Sequence, residues 1–165
     1  MDIWILIFLI LASGVLSMAE MAVGASRTAH LGVLAEEGCE GARMVLHFRA
    51  SPSRILATTQ LGITALAMLS GIFGESLWVP RLEAWIMAHL PGLAGVAYGL
   101  ALALVVTVVT FFRLVFGEVV PKRLAVAGPE AVAVAMAGLM AWMLRLTAPL
   151  VWVVSRTSDA VLQFF

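Results

Sequence analysis

The chain has 165 residues, of which 62% are hydrophobic and 12% charged, and its mean hydropathy is +1.05. Average soluble domains carry about 25% charged residues, so this chain lacks the polar surface that a soluble globule of its size needs. Its ten basic and ten acidic residues cancel, which gives no sign of a nucleic-acid partner, and its single cysteine excludes an internal disulfide. The composition therefore indicates an integral membrane protein.

Three apolar runs are long enough to cross a membrane. A helix needs about 20 apolar residues to span roughly 30 Å of hydrocarbon, and lipid offers no partner for exposed backbone groups. The sequence predicts spans at about 3–25, 54–74 and 90–118. The expected fold class is therefore an all-α membrane protein with three transmembrane helices.

The distribution of basic residues predicts the orientation of these spans. The loop between the second and third spans contains one basic residue, and the segment before the first span contains none. By the positive-inside rule, the N-terminus is predicted outside and the C-terminus in the cytoplasm, in a multi-pass protein of the inner (plasma) membrane. The basic residues that follow the first and third spans are Arg27, Arg43, Arg49, Arg54, Lys122 and Arg123.

Two further segments, at about 28–50 and 129–160, are predicted as helices in or near the cytoplasmic interface. In the second, the apolar run from Ala131 to Leu144 is short, and Arg145 and Pro149 then interrupt it. Aromatic and arginine side chains of this kind suit the headgroup region. A fourth span is the alternative for this segment.

Ionisable residues inside membrane spans are costly and mark binding sites or pathways by default. Ser13, Ser17 and Glu20 are spaced along one face of the first helix, and Ser70 adds a hydroxyl in the second span. Serines in such helices also bond to their own backbone or only pack helices together. Glu20 has the alternative role of ending the first span at the headgroups.

The stretch FGEVVPK ends the third span with a carboxylate, a proline and a lysine. Pro121 has no N–H, so the carbonyl of Gly117 is expected to lose its helical partner, next to the carboxylate of Glu118. Broken membrane helices hold cations in this way, and oxygen ligands favour Mg²⁺, Na⁺ or Ca²⁺. Pro121 is predicted as a helix break or hinge. The alternative is a surface ion pair between Glu118 and Lys122.

Three motifs resemble the DUF21 transmembrane domain, the membrane module of the CorB/CorC and cyclin M (CNNM) magnesium transporters, with a bacterial CorC as the nearest likeness. They are LASGVLSMAEMAV in the first span, SPSRILATTQLG opening the second and FGEVVPKRLA ending the third. The sequence departs from the family pattern in three places: Ile63 and Thr64 replace two asparagines, and Ala19 replaces a serine.

The resemblance implies a homodimer with three transmembrane helices per subunit and a belt of juxtamembrane helices on the cytoplasmic side. It also implies CBS and CorC-type cytoplasmic domains downstream of residues 1–165, which would be partners of this domain together with the lipid bilayer. The family's metal site, carried over onto this sequence, consists of Ser17, Glu20, Ser70, Gly117 and Glu118.

The function implied is export of Mg²⁺, with Na⁺ as the coupling ion, through an alternating-access site. A non-transporting Mg²⁺ sensor and a membrane anchor for cytoplasmic CBS domains are the alternatives. No nucleophile–base pair, phosphate-binding loop or metalloprotease pattern occurs in the sequence, so no enzymatic activity is expected.

Overall fold

The structure is a computed structural model that describes residues 2–162 of the chain. Every regular element within these residues is helical, which confirms the all-α class. A 3₁₀ turn, Pro91–Val96, precedes α5, and a π-helical turn, Val115–Val119, joins α5 to α6. The α-helices are α1 Asp2–Ala25, α2 Thr28–Glu36, α3 Glu40–Arg49, α4 Pro52–His89, α5 Ala97–Leu114, α6 Val120–Ala127 and α7 Pro129–Leu162.

Among the described residues, four helical stretches are long and apolar enough to cross a membrane. They run over Ile3–Ala25, Pro52–His89, Pro91–Ala127 and Pro129–Val154. The prediction of three spans therefore differs from the structure by one candidate, which is α7.

The difference arises because the prediction ended the apolar run of the sequence at a charged residue and a proline. A helix can continue past both. α7 continues without interruption past Arg145 and contains Pro149 in its interior. Arg145 is exposed, so its charge costs the helix little. Pro149 removes one backbone donor, and its fixed φ is close to the helical value.

The backbone divides into two compact units. The first contains the chain up to Val15 and Ile63–Pro121, and the second contains Leu16–Gly62 and the chain from Lys122 onward. In the first unit, a cluster of buried side chains from α4 and α5 forms an apolar core, with Val79, Ala97 and Ala101 almost inaccessible to solvent.

The core of the second unit joins the C-terminal part of α1 to α2, α3, α6 and α7. Small and medium side chains dominate it, and α3 packs extensively along α7. Gly41 of α3 approaches Val134 of α7 so closely that a Cβ atom there would lie 2.8 Å from Val134 Cγ1 and 3.0 Å from its carbonyl oxygen. The helices therefore touch backbone to side chain at this point.

Polar contacts fix the short helices of the second unit to the end of α1. Arg49 Nη1 donates hydrogen bonds to the carbonyl oxygens of Val23 at 2.6 Å and Ser26 at 2.8 Å, which are among the carbonyls left without helical donors at the end of a helix. The backbone N–H of Arg27 donates to Glu130 Oε1 at 2.9 Å. The side chains of Arg49 in α3 and Glu130 in α7 therefore hold these two helices against the connection between α1 and α2.

The connection from α2 to α3 is a Schellman motif. Gly38 has φ +95°, the left-handed region that glycine adopts without steric cost. Its N–H donates to Ala35 O at 3.2 Å and the N–H of Cys39 donates to Leu34 O at 2.9 Å, the paired bonds that end a helix in this way.

Substituting Gly41 with alanine is expected to destabilise the second unit, because the new methyl group meets a backbone oxygen that cannot move alone. Overpacking of this kind costs about 1–3 kcal/mol. The matched control is Gly32→Ala in α2, where a Cβ meets nothing within 4 Å, and where alanine should gain about 0.5–1 kcal/mol. Thermal unfolding of the detergent-solubilised chain measures both. An unfolding midpoint for Gly41→Ala at or above that of Gly32→Ala would contradict this packing.

Candidate functional site

The stretch that ends the third predicted span forms a π-helical turn rather than an unwound break. The N–H of Val120 donates to the carbonyl oxygen of Val115, a bond between residues five apart. The helix then continues through Pro121 into α6. A proline lacks the donor that the preceding turn of an α-helix needs, and a wider turn accommodates this loss without unwinding. π-Helical turns occur frequently at functional sites.

Backbone atoms of α1 and of the π-helical turn lie unusually close together in the first unit. A Cβ on Gly14 would lie 2.8 Å from the carbonyl oxygen of Phe116 and 3.0 Å from Pro121 Cγ. A Cβ on Gly117 would lie 3.2 Å from the carbonyl oxygen of Ile10. Glycine at positions 14 and 117 therefore permits two helices to meet at the turn that carries Glu118.

Ser13 lies at this contact, although it was not among the predicted ligands. Its side chain is 1% exposed, and its hydroxyl has no hydrogen-bond partner among the residues that the structure describes. Ser13 Oγ lies 3.5 Å from the position of a Cβ on Gly117. Buried hydroxyls are normally paired, so an unpaired one facing a glycine is a candidate ligand. Its spacing on the face shared with Ser17 and Glu20 was the available signal.

The predicted site residues lie in both units. Ser70, Gly117 and Glu118 belong to the first unit, and Ser17 and Glu20 belong to the second. Ser17, Gly117, Glu118 and Lys122 all interact with other parts of the chain.

Ser70 is buried in α4, and its hydroxyl donates to the carbonyl oxygen of Leu66 at 2.7 Å. This is the backbone-bonded state that serines often adopt in membrane helices. It uses the proton of the hydroxyl and leaves oxygen lone pairs to accept another bond or a cation.

A fixed positive charge lies one helical turn before Gly117. Arg113 Nη2 donates to the carbonyl oxygen of Ile63 at 3.3 Å, while its buried Nε has no hydrogen-bond partner within the described residues. This guanidinium opposes the binding of a cation nearby.

Within the second unit, Glu20 lines a cavity of about 210 Å³ together with Arg49. Glu20 Oε2 is buried and has no hydrogen-bond partner among the described residues. Arg49 is already committed to the carbonyl oxygens at the end of α1. Glu20 therefore lines the cavity while one oxygen of its carboxylate, Oε2, is buried without a partner.

The atoms of the candidate site that can bind a metal ion are hydroxyl, carbonyl and carboxylate oxygens. Across residues 2–162, no group of three or more His, Cys, Asp or Glu side chains is placed to hold a metal ion. A site built on this chain would therefore depend on neutral oxygens with few carboxylates. Oxygen donors of this type suit hard cations rather than zinc or copper.

Apolar helices of spanning length and buried oxygen groups within them define a multi-pass membrane protein. Residues 4–165 match the cyclin M transmembrane N-terminal domain family, and the chain belongs to this family. The resemblance seen in the three sequence motifs is thereby confirmed.

Several relatives align with almost the whole chain. It is 34% identical to the UPF0053 protein sll0260 of Synechocystis over 100% of its length and 37% of that protein. It is 30% identical to the polyamine export protein of Escherichia coli K12 over 99% of its length and 36% of that protein. An uncharacterised Mycobacterium tuberculosis protein is 32% identical over 88% of the chain and 41% of that protein. The chain thus spans little more than a third of the length of these relatives.

Replacing Gly14 with alanine is expected to force α1 away from the π-helical turn, because the methyl group meets the Phe116 carbonyl oxygen. Overpacking costs about 1–3 kcal/mol, so the thermal unfolding midpoint should fall. Gly138→Ala is the matched control, since Gly138 lies inside α7 with nothing within 4 Å of a built Cβ. A Gly14→Ala variant as stable as Gly138→Ala would refute the close contact.

Proposed function

We propose that this chain is the membrane domain of a cation exporter and that its cargo is Mg²⁺. The observation that carries the proposal is the buried, unpaired hydroxyl of Ser13 facing Gly117 at the π-helical turn. A buried polar atom without a partner costs about 1–3 kcal/mol, and a cation bound there would recover that cost.

The proposed ligands in the first unit are the hydroxyls of Ser13 and Ser70, a backbone oxygen of the Gly117 turn and the carboxylate of Glu118. Mg²⁺ takes oxygen ligands at about 2.0–2.1 Å in an octahedron and keeps several of its waters. A few protein oxygens with one carboxylate are enough for such an ion. Ser17 and Glu20 remain predictions from the sequence motif.

Transport requires that the ligands be able to exchange partners. Ser70 bonds to its own helix, and Gly117 and Glu118 already interact with the chain. Ser70, Gly117 and Glu118 can return to these contacts when the ion leaves, so that their oxygen atoms are not left without a partner. We propose alternating access on this basis, with the π-helical turn before Pro121 as the element that adjusts.

Several parts of the proposal depend on family membership. These are the outward direction of transport, coupling to Na⁺ entry, the homodimer, and the downstream CBS domains as partners. The orientation with the N-terminus outside rests on the basic residues described above.

The packing of α7 on α3 supports the proposed position of the C-terminus in the cytoplasm. The buried residues Ala133 and Ala137 of α7 belong to the same core as Val45 of α3, and α3 also carries charged side chains such as Arg43. A helix packed along a charged helix suits the membrane interface better than the hydrocarbon interior. We therefore propose that α7 lies in the cytoplasmic belt and that the chain ends in the cytoplasm.

Polyamine export is the second candidate. The relatives in Escherichia coli and Haemophilus influenzae are named polyamine export proteins, and each is 30% identical to this chain. A polyamine, like Mg²⁺, is a cation, so carboxylate and neutral oxygen atoms of the chain are suitable partners for either cargo.

Flux measurements in proteoliposomes distinguish these functions. The purified chain should move Mg²⁺, and both Ser13→Ala and Glu118→Gln should reduce the rate at least tenfold. Ser13→Ala should still fold, because it removes an unpaired hydroxyl and adds no atom that could clash. The matched control is Thr107→Ala, whose exposed hydroxyl only donates to the carbonyl oxygen of Ala103.

The other outcomes contradict the proposal in different ways. Flux of spermidine without flux of Mg²⁺ would assign the polyamine function. Mg²⁺ binding without any flux would indicate a sensor. No binding of either cation would indicate a membrane anchor. Unchanged Mg²⁺ flux in both site variants would refute the assigned ligands.

A further inference from the structure

The second unit contains a cleft lined by basic side chains. Its volume is about 440 Å³, and four of its lining residues are Arg43, His47, Arg54 and Arg145. We call this feature the basic cleft. None of the residues that line it is acidic. Three arginine residues thus line one cavity that no acidic residue lines.

Within the described part of the chain, no carboxylate forms an ion pair with the arginines of the basic cleft. Arg43 Nε donates to the carbonyl oxygen of Ala35 at 3.2 Å, which leaves its charge unpaired. Arg54 and Arg145 have no side-chain hydrogen bond or ion pair within the part of the chain that the structure describes. Like charges that share a cavity repel one another, and a bound anion would relieve this repulsion.

The remaining lining of the basic cleft is largely apolar. Phe48, Ile55 and Leu144 contribute to its walls. Leu56 and Leu146, which follow the lining residues Ile55 and Arg145 in the chain, are 53% and 62% exposed. An occupant that is anionic at one end and apolar at the other matches this arrangement.

The basic cleft also lies where a candidate membrane span begins. α4 starts at Pro52, between the lining residues Ser51 and Arg54, and continues for 38 residues. The N-terminal end of a helix carries a partial positive charge that favours anions. The start of a spanning helix is also the depth at which lipid headgroups are found.

We propose that the basic cleft binds the headgroup of an anionic phospholipid. The phosphate lies among Arg43, Arg54 and Arg145, and the acyl chains extend along Leu56 and Leu146 into the bilayer. This site is separate from the proposed cation site and does not depend on the identity of the cargo. Bound lipid would neutralise the guanidinium groups and hold α3 and α7 against the membrane surface.

Native mass spectrometry of the detergent-purified chain tests this proposal with phosphatidylglycerol as the ligand and phosphatidylcholine as the neutral reference. The wild-type chain should retain phosphatidylglycerol preferentially. Since each arginine near an anionic lipid surface is worth about fivefold in binding, the double variant Arg54→Gln/Arg145→Gln should bind it at least tenfold more weakly.

The matched control is Arg81→Gln/Arg156→Gln, which removes the same charge outside the basic cleft. These arginines lie 5.7 Å from the ring centroids of Trp78 and Trp152. The control should retain phosphatidylglycerol, and so should Arg54→Lys/Arg145→Lys, which preserves the charge.

Three results would overturn the proposal. Equal retention by the wild type and the glutamine variant of the cleft would show that the arginines do not bind the lipid. Equal loss in the cleft and control variants would show a response to overall charge alone. Complete displacement of phosphatidylglycerol by excess inorganic phosphate would assign the cleft to a soluble anion. Matching thermal unfolding midpoints confirm that the variants remain folded.

Discussion

The close approach of the α1 backbone to the π-helical turn is the constraint on which the candidate site depends. The contact is set by Gly14, which leaves no room for a Cβ between itself and the carbonyl oxygen of Phe116. It brings Ser13 to Gly117 and buries its hydroxyl away from any partner among the described residues. A larger residue at position 14 or 117 would separate the helices and give that hydroxyl access to other partners.

The π-helical turn follows from the same short segment. Pro121 removes a donor, Gly117 allows close packing, and Glu118 adds a charge that lipid tolerates poorly. Each residue is unfavourable alone in an apolar helix. Together they occupy a wider turn in which the carbonyl oxygen of Phe116 faces Gly14 of α1. Proteins retain local costs of this kind mainly at functional sites.

The sequence was sufficient to predict the class of protein and the segment that carries the site. Apolar runs of spanning length identify membrane helices because the bilayer imposes their length. The motif around Gly117 and Pro121 could be singled out because its residues are unfavourable in an isolated helix. Ser13 was placed on the polar face of α1, but spacing along one helix does not identify which residue another helix will contact.

The remaining differences have similar causes. A break was expected at Pro121, because the sequence shows the lost donor but not the wider turn that accommodates it. α7 was divided at Arg145 and Pro149, because composition does not show that a helix continues past a single missing hydrogen bond. The basic cleft was not predicted, since Arg43, Arg54 and Arg145 belong to three different helices, α3, α4 and α7, and only the folded structure shows that they line one cavity.

An experimental structure of the chain with Mn²⁺ in place of Mg²⁺, located by its anomalous scattering, would show which atoms bind the cation. We expect an ion coordinated by Ser13 Oγ and by an oxygen of the turn around Gly117, at distances of about 2.0–2.3 Å. An ion bound elsewhere, with the hydroxyl of Ser13 hydrogen-bonded to the protein, would contradict it.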